Sequence, residues 1–430
     1  MSARRITIPR LGADYHRDEL RTLTRRSAPR LAVAAATGVV VGLAVAVFDQ
    51  VVAEQLVPEL LTAPLWVLAI GPGVGLVIAA LVLRFAGGGT TPGTADEYLR
   101  EFHDASARTS PRQLGARVLA AVATLGSGGP MGLEGPSIHI GSTVGGWIQR
   151  RVPRLFRGTD RRTLLVAGAA AAVAAIFKAP ATGVVFALEV PYQDDLARRM
   201  LLPALVSGAS GYLAFVAVNG TEPLLRVVGD PGFGFRDLAG AVVLGALAGF
   251  GARLFAYALR KAKTLSGRAH PLARAVVAGV LLAGLFVAAR ALTGESLTVG
   301  PGYSTIRWAI EPGHAVWLLL VVLGLRCVAT VVMVGGGGVG GVFIPLVVAG
   351  ALLGRAVGGT IDALDTSLFA MIGMAAFLGA GYRVPLAAVM FVAETTGQAS
   401  FVVPGLLAAV AAELMMGPAS VTAFQAPADP

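Results

Sequence analysis

The sequence predicts an all-α, polytopic membrane protein of two repeated halves with broken helices. Three observations carry that prediction: composition, the spacing of charge, and a similarity of the chain to itself. Charged residues make up 14% of the 430 residues, apolar residues 55%, and mean hydropathy is +0.72. A typical soluble domain has about 25% charged residues, so a soluble enzyme is excluded. A disordered chain is excluded too, because disorder needs low hydrophobicity and high charge. Glycine, at 56 residues, is nearly twice its usual ~7% share with no collagen period, which suits close helix packing and bent backbone inside a bilayer.

Charge-free stretches cover residues 31–48, 60–83, 200–221, 238–252, 275–289, 327–354, 366–382 and 395–412. Several fall short of the ~20 residues a full span requires, and Gly or Pro interrupts others. Short segments read as half-helices. Irregular backbone survives at membrane depth only where protein buries it or where it lines a polar path, so the broken segments are expected to surround a transport route.

The N-terminal segment 1–30 is basic, with Arg4, Arg5, Arg10, Arg17, Arg21, Arg25, Arg26 and Arg30. It is too long and too charged for the lead of a secretory signal peptide, and the positive-inside rule keeps it cytoplasmic. Two further basic blocks, Arg150, Arg151, Arg154, Arg157, Arg161 and Arg162, then Arg253, Arg260, Lys261, Lys263 and Arg268, are expected as cytoplasmic loops. The net charge of +10 is thus explained by orientation, and no nucleic-acid partner is expected. Residues 31–430 form one transmembrane domain with halves near 31–220 and 236–425, in a cell membrane. Cys327 is alone, so no disulfide framework is possible.

Residues 177–189 read FKAPATGVVFALE and residues 382–394 read YRVPLAAVMFVAE. An aromatic, a base, Pro, Phe and Glu recur in register. Glycine-rich loops recur as well, GSGGPMGLEGP at 126–136 and GGGGVGGVFIP at 335–345. Two halves, each with a glycine loop followed by a Pro-broken helix ending in Glu, form the pattern of transporter repeats.

Glycine lets successive N–H groups converge, and a helix N-terminus adds about half a positive charge, so such loops attract an anion without a basic side chain. Partial charges also let the ion leave again. Ser127 adds a hydroxyl beside Gly128, and Pro130 and Pro136 suit a helix start. In the second half Val342 and Phe343 offer backbone N–H groups. Glu134 would compete with an anion for those donors. Charged, it occupies the site; protonated, it leaves, which makes it a gate and a proton carrier.

GSGGP, GLEGP, GGVFIP and the FKAP to LE segment together resemble the CLC family of chloride channels and chloride/proton antiporters, of the bacterial type without C-terminal CBS domains. The resemblance runs from about residue 31 to 425. It implies a homodimer of separate pores, each subunit an inverted repeat of tilted helices, with chloride and membrane lipid as partners and no cofactor. Ser127 matches the family's anion-coordinating serine, Glu134 its gating glutamate, and Val342 and Phe343 its second-loop amides. Nitrate-preferring relatives resemble this motif with Pro at that serine and fluoride exporters with Met, so Ser127 implies chloride.

Three departures stand out. The acid expected after Glu189 is Val190, the pore tyrosine is Thr422 in SVTAFQ, and the family's FNAP has Lys178 for Asn. The first two favour channel-like or weakly coupled conduction over strict exchange. Exchange remains the alternative, with Glu189, Asp194 or Asp195 as proton relay. Lys178 is expected to concentrate anions near the inner mouth.

Other chemistries fit less well. Neither glycine loop carries the Lys-Ser/Thr pair of a phosphate loop. A Ser127–His139 protease lacks a supporting arrangement, and the remaining histidines show no metal spacing. A cation-coupled symporter would place more hydroxyl, amide or carboxylate ligands on its broken helices. A transporter rather than an enzyme is expected.

Overall fold

In the computed structural model the described residues are 13–157, 160–225, 232–361 and 366–427, with side chains from residue 28 onward and residue 366 excepted. The basic residues Arg4, Arg5 and Arg10 lie outside the described residues, as do the side chains of Arg17, Arg21, Arg25 and Arg26.

The first half comprises α1 (Ala13–Asp49), running through a π-helical stretch into α2 (Val57–Thr62), then α3 (Leu65–Leu81), α4 (Ala95–His103), α5 (Pro111–Gly126), α6 (Glu134–Arg151), α7 (Thr163–Ile176), α8 (Pro180–Glu189) and α9 (Leu201–Asn219). The second comprises α10 (Phe235–Ser266), α11 (Pro271–Thr293), α12 (Tyr303–Ile310), α13 (Val316–Gly336), α14 (Phe343–Thr360), α15 (Thr366–Tyr382), α16 (Pro385–Thr396) and α17 (Val402–Met416). Among the described residues seven helices are long and apolar enough to cross a membrane. α7, α8, α16 and α17 are too short to do so; α8 and α16 are the Pro-broken helices that the repeated segments predicted.

Local sequence sets the ends. Ser110 and Gln113 form a reciprocal capping box at α5, and Pro opens α8, α11 and α16, where a missing N–H costs nothing. Each half then packs in the same way: α6 on α7 as α14 on α15, α1 on α9 as α10 on α17, α3 on α5 as α11 on α13. The crossings are glycine crossings. A Cβ on Gly141 would meet the Gly168 carbonyl at 2.2 Å, and one on Gly350 would meet the Gly373 carbonyl at 2.2 Å. Without a hydrophobic drive between helices in lipid, such close backbone approach is what supplies contact energy.

The two repeats interlock through swapped caps. The carboxylate of Glu189, at the end of α8, accepts from the N–H groups of Leu386 (3.1 Å) and Ala387 (2.9 Å) at the start of α16. Glu394, at the end of α16, accepts from Ala181 (3.0 Å) and Thr182 (2.7 Å) at the start of α8. Each carboxylate meets the positive end of the partner helix. A second repeat pair is Arg117 in α5 and Arg326 in α13. Arg117 donates to Thr91 O (3.0 Å) in the loop before α4. Arg326 donates to the carbonyls of Gly300 (3.1 Å) and Pro301 (2.9 Å) before α12.

The basic blocks gather at one end. Arg30 Nε donates to Leu155 O at 2.8 Å, Arg260 to Ser420 O at 3.1 Å, and Lys263 pairs with Asp96 at 2.9 Å. The segment from Ser420 returns to Tyr192 through Ala426, beside Asp194. By the positive-inside rule this is the end expected in the cytoplasm. The block from Arg253 to Lys263 differs from expectation in form. It continues α10 as helix and is not a loop, because 32 residues reach about 48 Å and extend past a core of ~30 Å.

Candidate functional site

Two buried helices, α6 and α14, meet N-terminus to N-terminus. α6 is almost wholly buried, and 78% of the apolar window of α14 is buried, against 28–44% for the other spans. Their preceding loops join across the repeat: Gly132 N–H donates to Gly341 O (2.9 Å) and Gly341 N–H to Gly132 O (2.7 Å). Inside this bridge lies the carboxylate of Glu134, 1% exposed. Its Oε1 accepts from the Phe343 N–H at 2.7 Å, while Oε2 has no partner among the described residues. A Cβ on Gly132 or on Gly341 would fall 1.9 Å from one of its oxygens. Both glycines are therefore required by the carboxylate, which sits where a free anion would meet the α14 N-terminus.

The Phe343 ring closes the other side. It packs on Phe177 (4.5 Å between centroids), Phe391 (4.9 Å) and Phe186 (5.5 Å), drawn from α8, α16 and the turn before α8. Val342 and Phe343 thus stand at the α14 N-terminus beside the Glu134 carboxylate.

Ser127 and Gly128 are not brought there. Gly126 ends α5, and Ser127 caps that C-terminus, its hydroxyl donating to Thr124 O at 3.1 Å. Its Oγ lies where a Cβ of Gly75 in α3 would be, and Gly128 packs on Leu60 and Val299. A helix C-terminus carries the negative end of the dipole, so this hydroxyl satisfies an orphan carbonyl and not an ion. The loop was read as preparing the helix after it, while its serine belongs to the helix before it.

The missed element is the loop before α4. Thr94, at the α4 N-terminus, donates to Gly340 O at 3.4 Å, and a Cβ on Gly135 would lie 2.6 Å from its hydroxyl and 2.9 Å from Gly340. The N-termini of α4, α6 and α14 therefore converge. The signal was present in GGGTTPGT at residues 87–94, a glycine run ending in a threonine at the N-cap position of a short helix. Arg117 anchors it through Thr91 and also reaches Glu97 (3.3 Å) and His139 Nε2 (3.3 Å). His139 is thereby occupied by Arg117.

From this convergence a cavity of about 380 Å³ opens toward the basic end. Thr91, Thr94, Val342, Tyr382 and Thr422 line it, with Arg100, Lys263 and Arg274 on its walls. Thr422 lines this cavity, and its hydroxyl pairs with Ser420 Oγ at 2.9 Å.

Lys178 does not reach the inner mouth. Its Nζ donates to Asn219 O at 3.2 Å, and Asn219 in turn donates to Asp49 at 2.6 Å. It opens α8, whose other end, at Glu189, is the cytoplasmic one. Its repeat counterpart Arg383 is at that cytoplasmic end, and both hold positive φ, 52° and 58°. Arg383 pairs with Asp194 and with Glu413, each at 2.9 Å. Glu189, Asp194, Asp195, Arg383 and Glu413 line a second cavity of about 350 Å³. Glu413, in α17, was not anticipated, since a lone acid near the end of an apolar run carries no spacing signal. Asp195 pairs with Arg198 at 3.2 Å.

The description "voltage gated chloride channel" matches residues 74–417. The chain belongs to the voltage-gated chloride channel family. It is an integral membrane protein, as that family and its apolar helices require. The chain is 30% identical to the H(+)/Cl(-) exchange transporter ClcA of Klebsiella pneumoniae subsp. pneumoniae over 316 residues, 71% of this chain and 66% of that protein, just under two thirds of its length. Among solved structures it resembles a CLC-type fluoride/proton antiporter (TM-score 0.82, 21% identity, 94% of this chain and 98% of that one) and a slow cyanobacterial Cl-/H+ antiporter (TM-score 0.77, 22% identity, 90% and 93%). These likenesses establish the CLC fold, with its broken-helix inverted repeat.

Glu189 has a structural role in this fold, holding two N–H groups of α16. Glu189→Gln keeps one acceptor oxygen and loses charge, so we expect a stability cost of about 1–2 kcal/mol, read as a lower thermal unfolding midpoint in detergent. Proton coupling should persist. Its loss in a folded variant would make Glu189 the relay.

Proposed function

We propose that this protein exchanges chloride for protons across a cell membrane, as a homodimer in which each subunit has its own path. One observation carries the reading: the Glu134 carboxylate holds the Phe343 N–H at 2.7 Å, in the place an anion would take. Carboxylate and chloride then compete for one set of donors. Protonation removes the charge and weakens the bond, the side chain leaves, and the anion enters against the N–H groups of Val342 and Phe343 and the Thr94 end of α4. When the anion departs, Glu134 gives up its proton and returns. Ser127 supports the end of α5 in this scheme, so chloride rests on the relatives' printed activity and not on that serine.

Val190 and Thr422 favoured a channel-like reading at the sequence level. Exchange is supported better, by relatives named as exchangers and by the carboxylates of Glu189, Asp194 and Glu413 around Arg383, any of which can take up protons at the cytoplasmic end. The test is an outward chloride gradient imposed on purified proteoliposomes with a pH dye. Exchange predicts proton movement against the proton gradient as chloride leaves. Chloride flux with no proton signal would reject exchange and restore the channel-like reading.

A further inference from the structure

The loop after α4, the end of α6 and the start of α7 enclose a third cavity, of about 110 Å³, which shares no lining residue with the cavity that opens from Glu134. Four arginines line it: Arg108, Arg150, Arg161 and Arg162. Glu101, the acid on the same wall, is 6% exposed, and its Oε1 already accepts from the N–H (2.8 Å) and the hydroxyl of Thr109. Arg162 is held as well. Asp160 takes its guanidinium in two bonds of 2.8 and 2.6 Å, and the group lies over the Phe102 ring at 4.4 Å. Among the described residues the side chains of Arg108, Arg150 and Arg161 make neither a salt bridge nor a hydrogen bond. Arg150 lies back along its own helix: a Cβ on Gly146, one turn earlier, would be 3.2 Å from its Nη1, so glycine there leaves the guanidinium room on the cavity wall.

Scattered basic residues at a cytoplasmic face need no ligand. Convergence is what sets these apart, because three unpaired guanidinium groups from three separate elements line one small enclosure. Their charges repel one another, and a multiply charged anion between them turns the repulsion into attraction. The enclosure has room for several waters, and so for one phosphate group, whose oxygens match guanidinium forks in a way a single chloride cannot. We infer that this cavity binds a phosphate group, either free or in the headgroup of an anionic lipid. Arg108, Arg150 and Arg161 donate to it, and Arg162, fixed by Asp160, closes the remaining side. The Glu101 bonds to Thr109 hold the loop that carries Arg108. The cavity lies at the basic end, expected in the cytoplasm, where both phosphate and anionic headgroups are at hand. The site is independent of the chloride reading, since none of its residues belongs to the path.

The experiment follows the thermal unfolding midpoint of the purified full chain in uncharged detergent in two arms, one titrated with inorganic phosphate and one with phosphatidic acid added to the micelles. Potassium chloride at equal ionic strength is the reference. A ligand of the folded state raises the midpoint as its concentration passes Kd. A rise with inorganic phosphate upholds the site with free phosphate as a source, and a rise with phosphatidic acid alone upholds it with the lipid as the source. Arg108→Gln/Arg150→Gln should weaken the apparent Kd at least about tenfold. Arg151→Gln/Arg154→Gln, which removes the same charge from the same end but not from the cavity wall, should keep the wild-type response. No rise beyond that given by chloride, or equal losses in the two double variants, would overturn the inference. Should Arg108→Gln/Arg150→Gln not fold, tungstate soaked into wild-type crystals decides: an anomalous peak among the four arginines upholds the site, and its absence there overturns it.

Discussion

Glu134→Gln is expected to leave chloride flux from liposomes running while abolishing its pH dependence and the accompanying proton movement. The amide is a permanent imitation of the protonated acid. Its oxygen can still accept from Phe343, but the charge that made the bond charge-assisted is gone, a drop from about 1.5–3 to about 0.5–1.5 kcal/mol. That bias of roughly 1.4 kcal/mol corresponds to about tenfold in favour of the anion. Flux measured from pH 4 to 8 should therefore be flat in the variant and rise toward acid in the wild type, where protonation frees the gate. A variant that keeps the wild-type pH profile would remove Glu134 from the gating role, and proton uptake would need another carrier.

Gly132→Ala is expected to force the same gate open without titration. The atoms that a Cβ at this position would meet are Oε2 at 1.9 Å, Cδ at 2.6 Å and Oε1 at 2.7 Å, all of Glu134. No backbone atom is among them, so the fold can accept the methyl by releasing the carboxylate. Losing the bond to Phe343 shifts the gate by about 1.5–3 kcal/mol, or roughly ten- to a hundredfold. Chloride efflux should rise and become nearly independent of pH, with an unfolding temperature close to wild type. Gly341 provides the contrast. A Cβ there meets Oε1 at 1.9 Å but also the Gly135 backbone nitrogen at 2.8 Å, so Gly341→Ala strains the bridge between repeats and should lower stability. Equal, wild-type flux in Gly132→Ala would mean that the carboxylate does not occupy the conducting path.

Much of the architecture was legible because a membrane constrains sequence strongly. The FKAP and YRVP segments located α8 and α16, the two helices that cap each other through Glu189 and Glu394, whereas the short apolar runs at 238–252 and 275–289 are parts of the long helices α10 and α11. Glu134, Val342 and Phe343 were legible for a related reason: glycines next to an acid or a helix start have few other uses at membrane depth. Ser127 was misleading because a glycine loop between two helices has two ends. Composition cannot say whether a hydroxyl faces the C-terminus behind it or the N-terminus ahead. Lys178 misled in a similar way, since its motif fixes a turn between α7 and α8 but not which end of the bundle holds that turn.

The sequence by itself determined a membrane protein of two related halves and a carboxylate next to backbone donors. These depend on composition and on spacing along one strand of chain. Only the tertiary structure decided that the third helix start at the site comes from residues 87–94, that Glu413 and Asp194 share Arg383, and that Tyr382 from α15 lines the same cavity as Thr422. Each of those joins segments far apart in sequence, and in an apolar chain many pairings satisfy the same hydropathy. Glycine contacts such as Gly141 on Gly168 select one pairing, because backbones that approach this closely admit a single fit.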